Sequence, residues 1–430
     1  MKSVLASCAL TITLILPTFA SGAWKEHPAA VQTVYQDHVP QTDPTGRPLA
    51  QFDRDHSFFP LALYHALQGQ YTGIQYELKD DAAAGFNACM PYESQDPRMI
   101  ADAARAAKMQ VIVHAPTDQI VTALAHHAAM LAWYLDEEPM GQFHVPGMDQ
   151  RFAAFIARRN QIRALDPNHP VFPLDVPPIV GNARPWWIKW NTAGDISSHD
   201  NYPINPHHRS LSFEYGIPET VSLAAQSVKQ EKPVWVCLPT FEIAGPAWPF
   251  NMPTSRQLRC MVYTSIIHGA TGIIYFALDS FATRTGSVVG MSPDPRASYG
   301  QGIEATADQL QMSRALWQSA ISINQQINTL RPAILSPTEK IPYQVDLDDA
   351  WPTITPDPIR TVLKRDPAGG CVMLLVNMDA TPMHVRVRCP GYVAKQQFES
   401  AGAGGFTATA DGFEMICTPY DARVIRMRKK

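Results

Sequence analysis

The sequence predicts a (β/α)8 TIM barrel followed by a small C-terminal antiparallel β-sandwich. From Ser57 to about Ser280, short apolar runs alternate with helical patterns, the rhythm of parallel β/α units. Eight such units fit within ~250 residues, the usual size of that barrel. After Ser336 the texture changes to alternating, β-branched segments punctuated by Gly369-Gly370, Pro390-Gly391 and the stretch Ala401–Gly405. A doubly wound sheet would carry a glycine-rich turn after its first strand, and Tyr64-His65-Ala66-Leu67-Gln68-Gly69-Gln70 is unlike one.

The expected strands are Phe58–Ala66, Phe86–Glu93, Gln110–Ala115, Met130–Leu135, Pro170–Val176, Asp195–Tyr202, Pro233–Leu238 and Thr271–Leu278. They are apolar and almost free of charge, as strands covered on both faces must be. Between them, Pro97–Lys108, Asp149–Leu165, Glu219–Gln230 and Ser255–His268 read as helices, with a short one from Asp118 to His127. A long helix from Ala305 to Leu330 is expected to stop at Arg331-Pro332, because proline lacks the backbone donor and clashes with the preceding turn. Arg360–Lys364, Cys371–Asn377, His384–Cys389 and Ala422–Met427 then alternate as strands of the sandwich.

At 430 residues the chain exceeds one ordinary core, and two domains are expected, 23–335 and 336–430. Hydrophobic content of 46% against 17% charged residues places it among globular proteins. A formal net charge of −4, with no basic run beyond Arg428-Lys429-Lys430, excludes an electrostatic footprint for nucleic acid. The first 22 residues read as an export signal: Lys2, the apolar run Val4 to Pro17, then the small residues Ala20, Ser21, Gly22 and Ala23. That run is too short to span a bilayer, so the expected product is secreted or periplasmic, with no membrane attachment after cleavage.

Export permits disulfides. Cys371 and Cys389 flank an apparent hairpin, Val372 to Arg388, and a cross-strand bridge between them is expected. Cys89, Cys237 and Cys260 lie in apolar runs and read as core thiols. No cysteine or histidine spacing predicts a metal site, and no cofactor motif is present.

The working residues of such a barrel stand at the carboxyl ends of its strands. Those ends hold Tyr64-His65, Tyr92-Glu93, His114 with Asp118, Asp136-Glu137-Glu138, Asp175, His199-Asp200-Asn201-Tyr202, Glu242 and Asp279. Three consecutive acids after the run Met130 to Leu135 are costly in mid-strand, but a strand mouth lets one stay neutral and another charged. General acid/base chemistry needs that arrangement.

Several segments together are similar to one group. Ala132-Trp133-Tyr134-Leu135 followed by Glu137-Glu138-Pro139 resembles the Gly-Trp-Tyr-Leu-x-Asp-Glu-Pro signature of bacterial barrel proteins related to the clan A glycoside hydrolases. Phe58-Phe59-Pro60-Leu61, Gly85-Phe86-Asn87, Asp200-Asn201-Tyr202-Pro203-Ile204, Lys232-Pro233-Val234-Trp235-Val236 and His268-Gly269-Ala270-Thr271-Gly272-Ile273 resemble its first, second, sixth, seventh and eighth strand regions. The resemblance covers residues 57 to 335 and implies a carbohydrate substrate. It implies that Glu138 is the acid/base, with Glu137 in the aspartate position beside it. It makes Glu242, after strand seven, the candidate nucleophile, with Asp279 and Asp200 as alternatives. Double displacement would require the two carboxyls to stand about 5–5.5 Å apart.

Flat rings cover the apolar faces of sugars, which adds Tyr64, Tyr92, Trp133, Tyr202 and Trp248 as candidate substrate contacts. Trp186, Trp187 and Trp190 join them as loop tryptophans, and His65, His114 and His199 could bond sugar hydroxyls. Glu93, Glu137, Asp200 and Asp279 complete the expected site. Two other readings stand beside a glycosidase: an inert glycan-binding barrel, and a metal-dependent hydrolase, which lacks HxH or HExxH spacing.

Overall fold

The computed structural model describes residues 23–26, 58–71, 73–92, 95–142, 146–178, 182–204, 210–229, 231–244, 250–282, 287–294, 305–351, 353–354, 356–398 and 405–430. The expected signal segment 1–22 and the candidates Glu93 and Trp248 lie outside the described residues.

Eight parallel strands form one sheet: Leu61–Ala66 (β1), Ala88–Pro91 (β2), Gln110–His114 (β3), Met130–Glu137 (β4), Val171–Leu174 (β5), Ser197–Asp200 (β6), Val234–Pro239 (β7) and Gly272–Phe276 (β8). Their order is β5-β4-β3-β2-β1-β8-β7-β6. A parallel bridge between Asp175 and His199, with the Asp200 N–H donating to the Asp175 carbonyl at 2.8 Å, joins β5 to β6 and closes the barrel. The helices are Leu78–Ala83 (α1), Pro97–Ala107 (α2), Asp118–Leu124 (α3), Met148–Leu165 (α4), Ala183–Ala193 (α5), Ile217–Ser227 (α6), Ser255–His268 (α7) and Ala307–Ile334 (α8).

Strand alternation sorts the side chains. On β7, Trp235 and Cys237 join Ala62, Tyr64, Phe172 and Ile274 inside the barrel, whereas Val234, Val236 and Leu238 pack under the helices. Gly272 has to be glycine for space, since a Cβ there would lie 2.6 Å from Trp235 Cδ1.

The structure adds elements that the sequence pattern did not reveal. Helix α1 has only 6 residues, too few to display a period. A hairpin of Gly69–Tyr71 and Ile74–Tyr76 follows β1, and Phe241–Ala244, Ser287–Gly290 and Phe281–Ala282 form a three-stranded antiparallel sheet beyond β7 and β8. The tryptophans read as a loop cluster lie on α5. Trp187 and Trp190 are buried in the core, Trp187 Nε1 donates to the Val176 carbonyl at 2.7 Å, and half-buried Trp186 lies 3.9 Å beneath Lys189 Nζ. Helix α8 runs through Pro332 to Ile334 instead of ending before it. A proline in the last turn removes one bond only, and burial of Ala333 and Ile334 at 4% exposure each offsets that loss.

The C-terminal part contains Gln344–Asp348 (β9), Ile359–Arg365 (β10), Cys371–Asn377 (β11), Met383–Arg388 (β12), Tyr392–Phe398 (β13), Thr407–Thr409 (β14), Gly412–Cys417 (β15) and Ala422–Lys429 (β16). One sheet runs β9-β12-β15-β14, with Trp24–Glu26 paired outside β9; the other runs β10-β11-β16-β13. Residues 24–26 thus pair with the C-terminal sheet, although the expected boundaries place them with the barrel. β11 is buried along its whole length because it serves two cores: Cys371, Met373 and Leu375 face the other sheet, while Val372, Leu374 and Val376 belong to the barrel core that includes α7.

That arrangement corrects the expected hairpin. β11 and β12 lie in opposite sheets, so the segment between them crosses the sandwich instead of turning within one sheet. Cys371 and Cys389 are both buried free thiols, not a disulfide.

Candidate active site at the barrel mouth

The geometry begins with an irregularity in β4. Tyr134 pairs with Phe172 and Asp136 with Pro173, leaving Leu135 as an extra residue in a bulge. A bulge re-aims the side chains that follow it. Before it, Trp133 faces the helices and Tyr134 the barrel interior; after it, Asp136 turns outward to Arg151 of α4, 2.5 Å away. Glu137 is exposed at the rim. Glu138 then takes a left-handed φ of +44°, and its N–H donates to the Leu174 carbonyl at 2.7 Å. Such a backbone conformation is costly for a residue with a side chain, and here it carries the carboxylate to the strand ends.

Asp200, the last residue of β6, meets it there: the two carboxyls share a hydrogen bond. Asp200 is only 2% exposed. Burial, then the charge and hydrogen bond of Glu138, then the charge of Asp175 push the Asp200 carboxyl well above the ordinary carboxylate range, against a smaller opposing hydrogen bond from Tyr202. Contact with a second carboxyl in a poorly solvated site holds the proton on Asp200, because like charges that close oppose its ionisation. Among the described residues no lysine or arginine forms a salt bridge with Glu138, Asp175 or Asp200. Asp175 Oδ1 accepts from the Met140 and Val176 N–H groups at 2.9 Å each, whereas its buried Oδ2 has no partner among the described residues. Burial also pushes Asp175 well up.

Aromatic rings line the space around the pair. Tyr202 stacks on Phe276 with centroids 5.9 Å apart and meets Phe241 edge-on at 5.0 Å; its hydroxyl lies 3.8 Å from Cys237 Sγ. Phe276 continues to Tyr64 at 5.1 Å and His65 at 5.3 Å, and His65 lies 4.4 Å from Tyr92. His114 stacks on Tyr134 at 4.4 Å. His65 occupies a second bulge with φ +60°, and burial followed by the neighbouring His114 lowers its pKa to about 3, so it is neutral at physiological pH.

The structure therefore gathers Glu138, Asp200, Tyr202, Tyr64, His65, Tyr92 and His114 at one mouth. Trp133 and His199 lie elsewhere, in the layer between strands and helices. Trp133 Nε1 donates to Asp166 at 2.8 Å, and His199 Nε2 bonds Thr220 of α6 at 3.1 Å. Glu242 sits on the strand Phe241–Ala244, where Gln309 Nε2 of α8 donates to it at 2.7 Å. Asp279 is buried after β8 and accepts from the Ser280 N–H at 2.7 Å. Sequence reading missed Cys237, Phe276 and Phe281, whose ring lies 5.2 Å from His65. For Cys237 and Phe276 the signal was strand parity with Trp235 and Ile274; Phe281 belongs to the unforeseen outer sheet.

Among the described residues no group of histidine, cysteine and acidic side chains could hold a metal ion, and no helix is long and apolar enough to cross a membrane.

No protein-family model matches the chain, and no curated protein does. Solved structures share the fold. The cold-adapted β-galactosidase from Rahnella sp. R3 superposes at a TM-score of 0.54 with 9% identity, covering 94% of this chain and 100% of that one. A GH42 β-galactosidase from G. stearothermophilus, determined as a catalytic mutant, gives 0.52 and 9% identity over 81% and 94% of the two chains. The chain spans 60% of the length of the β-galactosidase from the psychrophilic Marinomonas ef1, at 13% identity, a TM-score of 0.44 and 64% coverage of this chain. The chain thus has the fold of glycosidase barrels that carry C-terminal β domains.

Proposed function

We propose that the protein is a glycoside hydrolase, secreted or periplasmic, that cleaves glycosidic bonds of oligo- or polysaccharides with Glu138 as general acid/base. The observation that carries this reading is the Glu138–Asp200 pair, hydrogen-bonded at the barrel mouth on a fold shared with glycosidases. The proton held on Asp200 can pass by way of Glu138 to a departing glycosidic oxygen, and the poorly solvated surroundings of Asp200 strengthen charge interactions made there. The rings of Tyr64, Tyr92 and Tyr202 offer flat apolar surfaces to sugar faces, and His65, kept neutral, offers a hydroxyl partner.

On the double-displacement route Glu242 attacks the anomeric carbon while Glu138 protonates the leaving oxygen; Glu138 then deprotonates the water that releases the sugar. That route needs Glu242 to exchange its Gln309 bond for the sugar. The same bond favours a second reading, a barrel that binds glycans without turning them over.

Turnover by wild type and Glu138→Gln across a panel of oligosaccharides, polysaccharides and aryl glycosides tests the proposal. The expected loss in kcat/KM is about 10²–10⁴-fold, the usual worth of a positioned acid. Undiminished turnover by the variant would refute the role of Glu138; saturable binding without turnover by the wild type would favour the inert barrel.

A further inference from the structure

Resting on the reading of Glu138 as the acid/base, we infer that Arg151 is its positioning residue: from α4 it pins the peptide plane that precedes Glu138 and so sets where the carboxyl is delivered.

The first argument is where the hydrogen bonds fall. The peptide unit joining Glu137 to Glu138 has two polar groups, and a different element holds each. Its carbonyl accepts from Arg151 Nη2 at 3.0 Å, and its N–H donates to the Leu174 carbonyl of β5 at 2.7 Å. Held at one edge, such a plane can pivot about that bond; held at both, it cannot. On the far side of the Glu138 Cα, the Glu138 carbonyl accepts from the Gly141 N–H at 3.0 Å, and the Met140 N–H donates to Asp175 Oδ1 at 2.9 Å. The φ of +44° at Glu138 therefore lies between a pinned plane and a pinned turn. A left-handed residue with a side chain is strained and persists only where its surroundings over-determine it.

The second argument is the shape of the guanidinium. Arg151 Nη2 also donates to Asp136 Oδ1 at 2.5 Å, and Nε donates to Oδ2 at 3.3 Å. One planar group thus spans the Asp136 carboxylate and the Glu137 carbonyl, both of which follow the bulge at Leu135. An arginine fork can hold the two in one fixed geometry, whereas a lysine ammonium on a flexible stem is a single point charge.

The third argument is that the fold gains little from this residue. Arg151 stands in the first turn of α4, where the helix dipole favours anions over cations. The Arg151 and Asp136 side chains are 27% and 19% exposed, so solvent weakens the ion pair between them. A cation set against the dipole for a screened pair has its use at the acid it braces.

The test measures kcat and KM of the full-length protein and its variants on methyl and dinitrophenyl glycosides. The panel covers α- and β-linked glucose, galactose, mannose and xylose and their disaccharides. A methoxide leaving group needs the proton of the acid, whereas dinitrophenolate departs without one. The ratio of the two rates therefore reads how well the acid is placed, and a general loss of folded protein leaves it unchanged. Arg151→Gln is expected to lose about 10²-fold in kcat/KM on methyl glycosides, the cost of a catalytic group set about 1 Å out of place, and to stay near wild type on the dinitrophenyl ones. The loss should fall in kcat rather than in KM. Arg151→Lys, which keeps a charge beside Asp136, should show the same split with Tm unchanged, and Asp136→Asn a smaller one. Glu138→Gln sets the upper limit of the split, about 10²–10⁴-fold. Equal losses on both leaving groups in the Arg151 variants, or no loss, would overturn the inference; a split in Glu138→Gln would then leave the glycosidase reading standing. No split in Glu138→Gln would remove Glu138 as the acid, and the inference with it. Absence of turnover by the wild type on every glycoside would overturn both.

Discussion

Asp200 and Asp421 are the same side chain at nearly the same burial, 2% and 5% exposed, yet the chain surrounds them in opposite ways. Asp421 stands in the C-terminal sandwich with Arg423 Nε 2.6 Å from its carboxylate, and that guanidinium is itself fully buried. Asp200 has a second carboxyl, Glu138, in the place where Asp421 has a cation. The sandwich follows the rule at two further acids: Asp346 pairs with Arg388 at 2.8 Å and Glu414 with Arg386 at 2.6 Å. A scaffold pairs its buried charges, because an unpaired one costs several kcal/mol. Like charges in contact at the barrel mouth serve no scaffold; they hold a proton on Asp200, on which the proposed acid/base chemistry would draw.

The comparison predicts opposite signs for one substitution. Asp421→Asn leaves Arg423 charged and buried without its counter-ion, so a loss of about 3–5 kcal/mol is expected in denaturant unfolding. Asp200→Asn should instead stabilise at neutral pH. A carboxyl whose folded pKa is raised contributes its stability below the unfolded pKa and loses it as pH rises through the folded one. Removing that group should flatten the decline of Tm with rising pH, with a gain on the order of 1–3 kcal/mol at pH 7. Equal destabilisation by both substitutions would erase the distinction between the regions.

Smaller effects sharpen it. Trp133→Phe removes the bond to Asp166 but no group at the mouth, so stability should fall by about 1–3 kcal/mol with kcat/KM unchanged. A raised KM would return Trp133 to the substrate. Arg386→Gln, breaking a half-exposed pair with Glu414, should cost about 1 kcal/mol or less, and less still in high salt.

Much of this was legible in the chain. The barrel followed from period and length, and Glu138, Asp200 and Tyr202 followed from their places at strand ends. Parity within a strand was harder to read. His199 and Asp200 are neighbours, yet one faces the helices and the other the mouth, and no composition signal distinguishes them. The bulge at Leu135 was invisible for a related reason. It arises from register against β5, a long-range pairing, and it decides which of three consecutive acids points inward. The hairpin misread across Asp379–Pro382 is the same failure at larger scale. A short polar turn between apolar strands looks alike whether the chain folds back within a sheet or crosses to the opposite one.

The pH dependence of kcat/KM for wild type and Asp200→Asn, on whichever glycoside the wild type turns over, bears most directly on the proposed acid/base role of the carboxyl pair. If Asp200 helps to hold the proton that Glu138 delivers, the variant loses activity at lower pH on the alkaline side than the wild type does. An alkaline limb that stays in place, with kcat/KM near the wild-type value, would contradict the pairing as a source of catalysis.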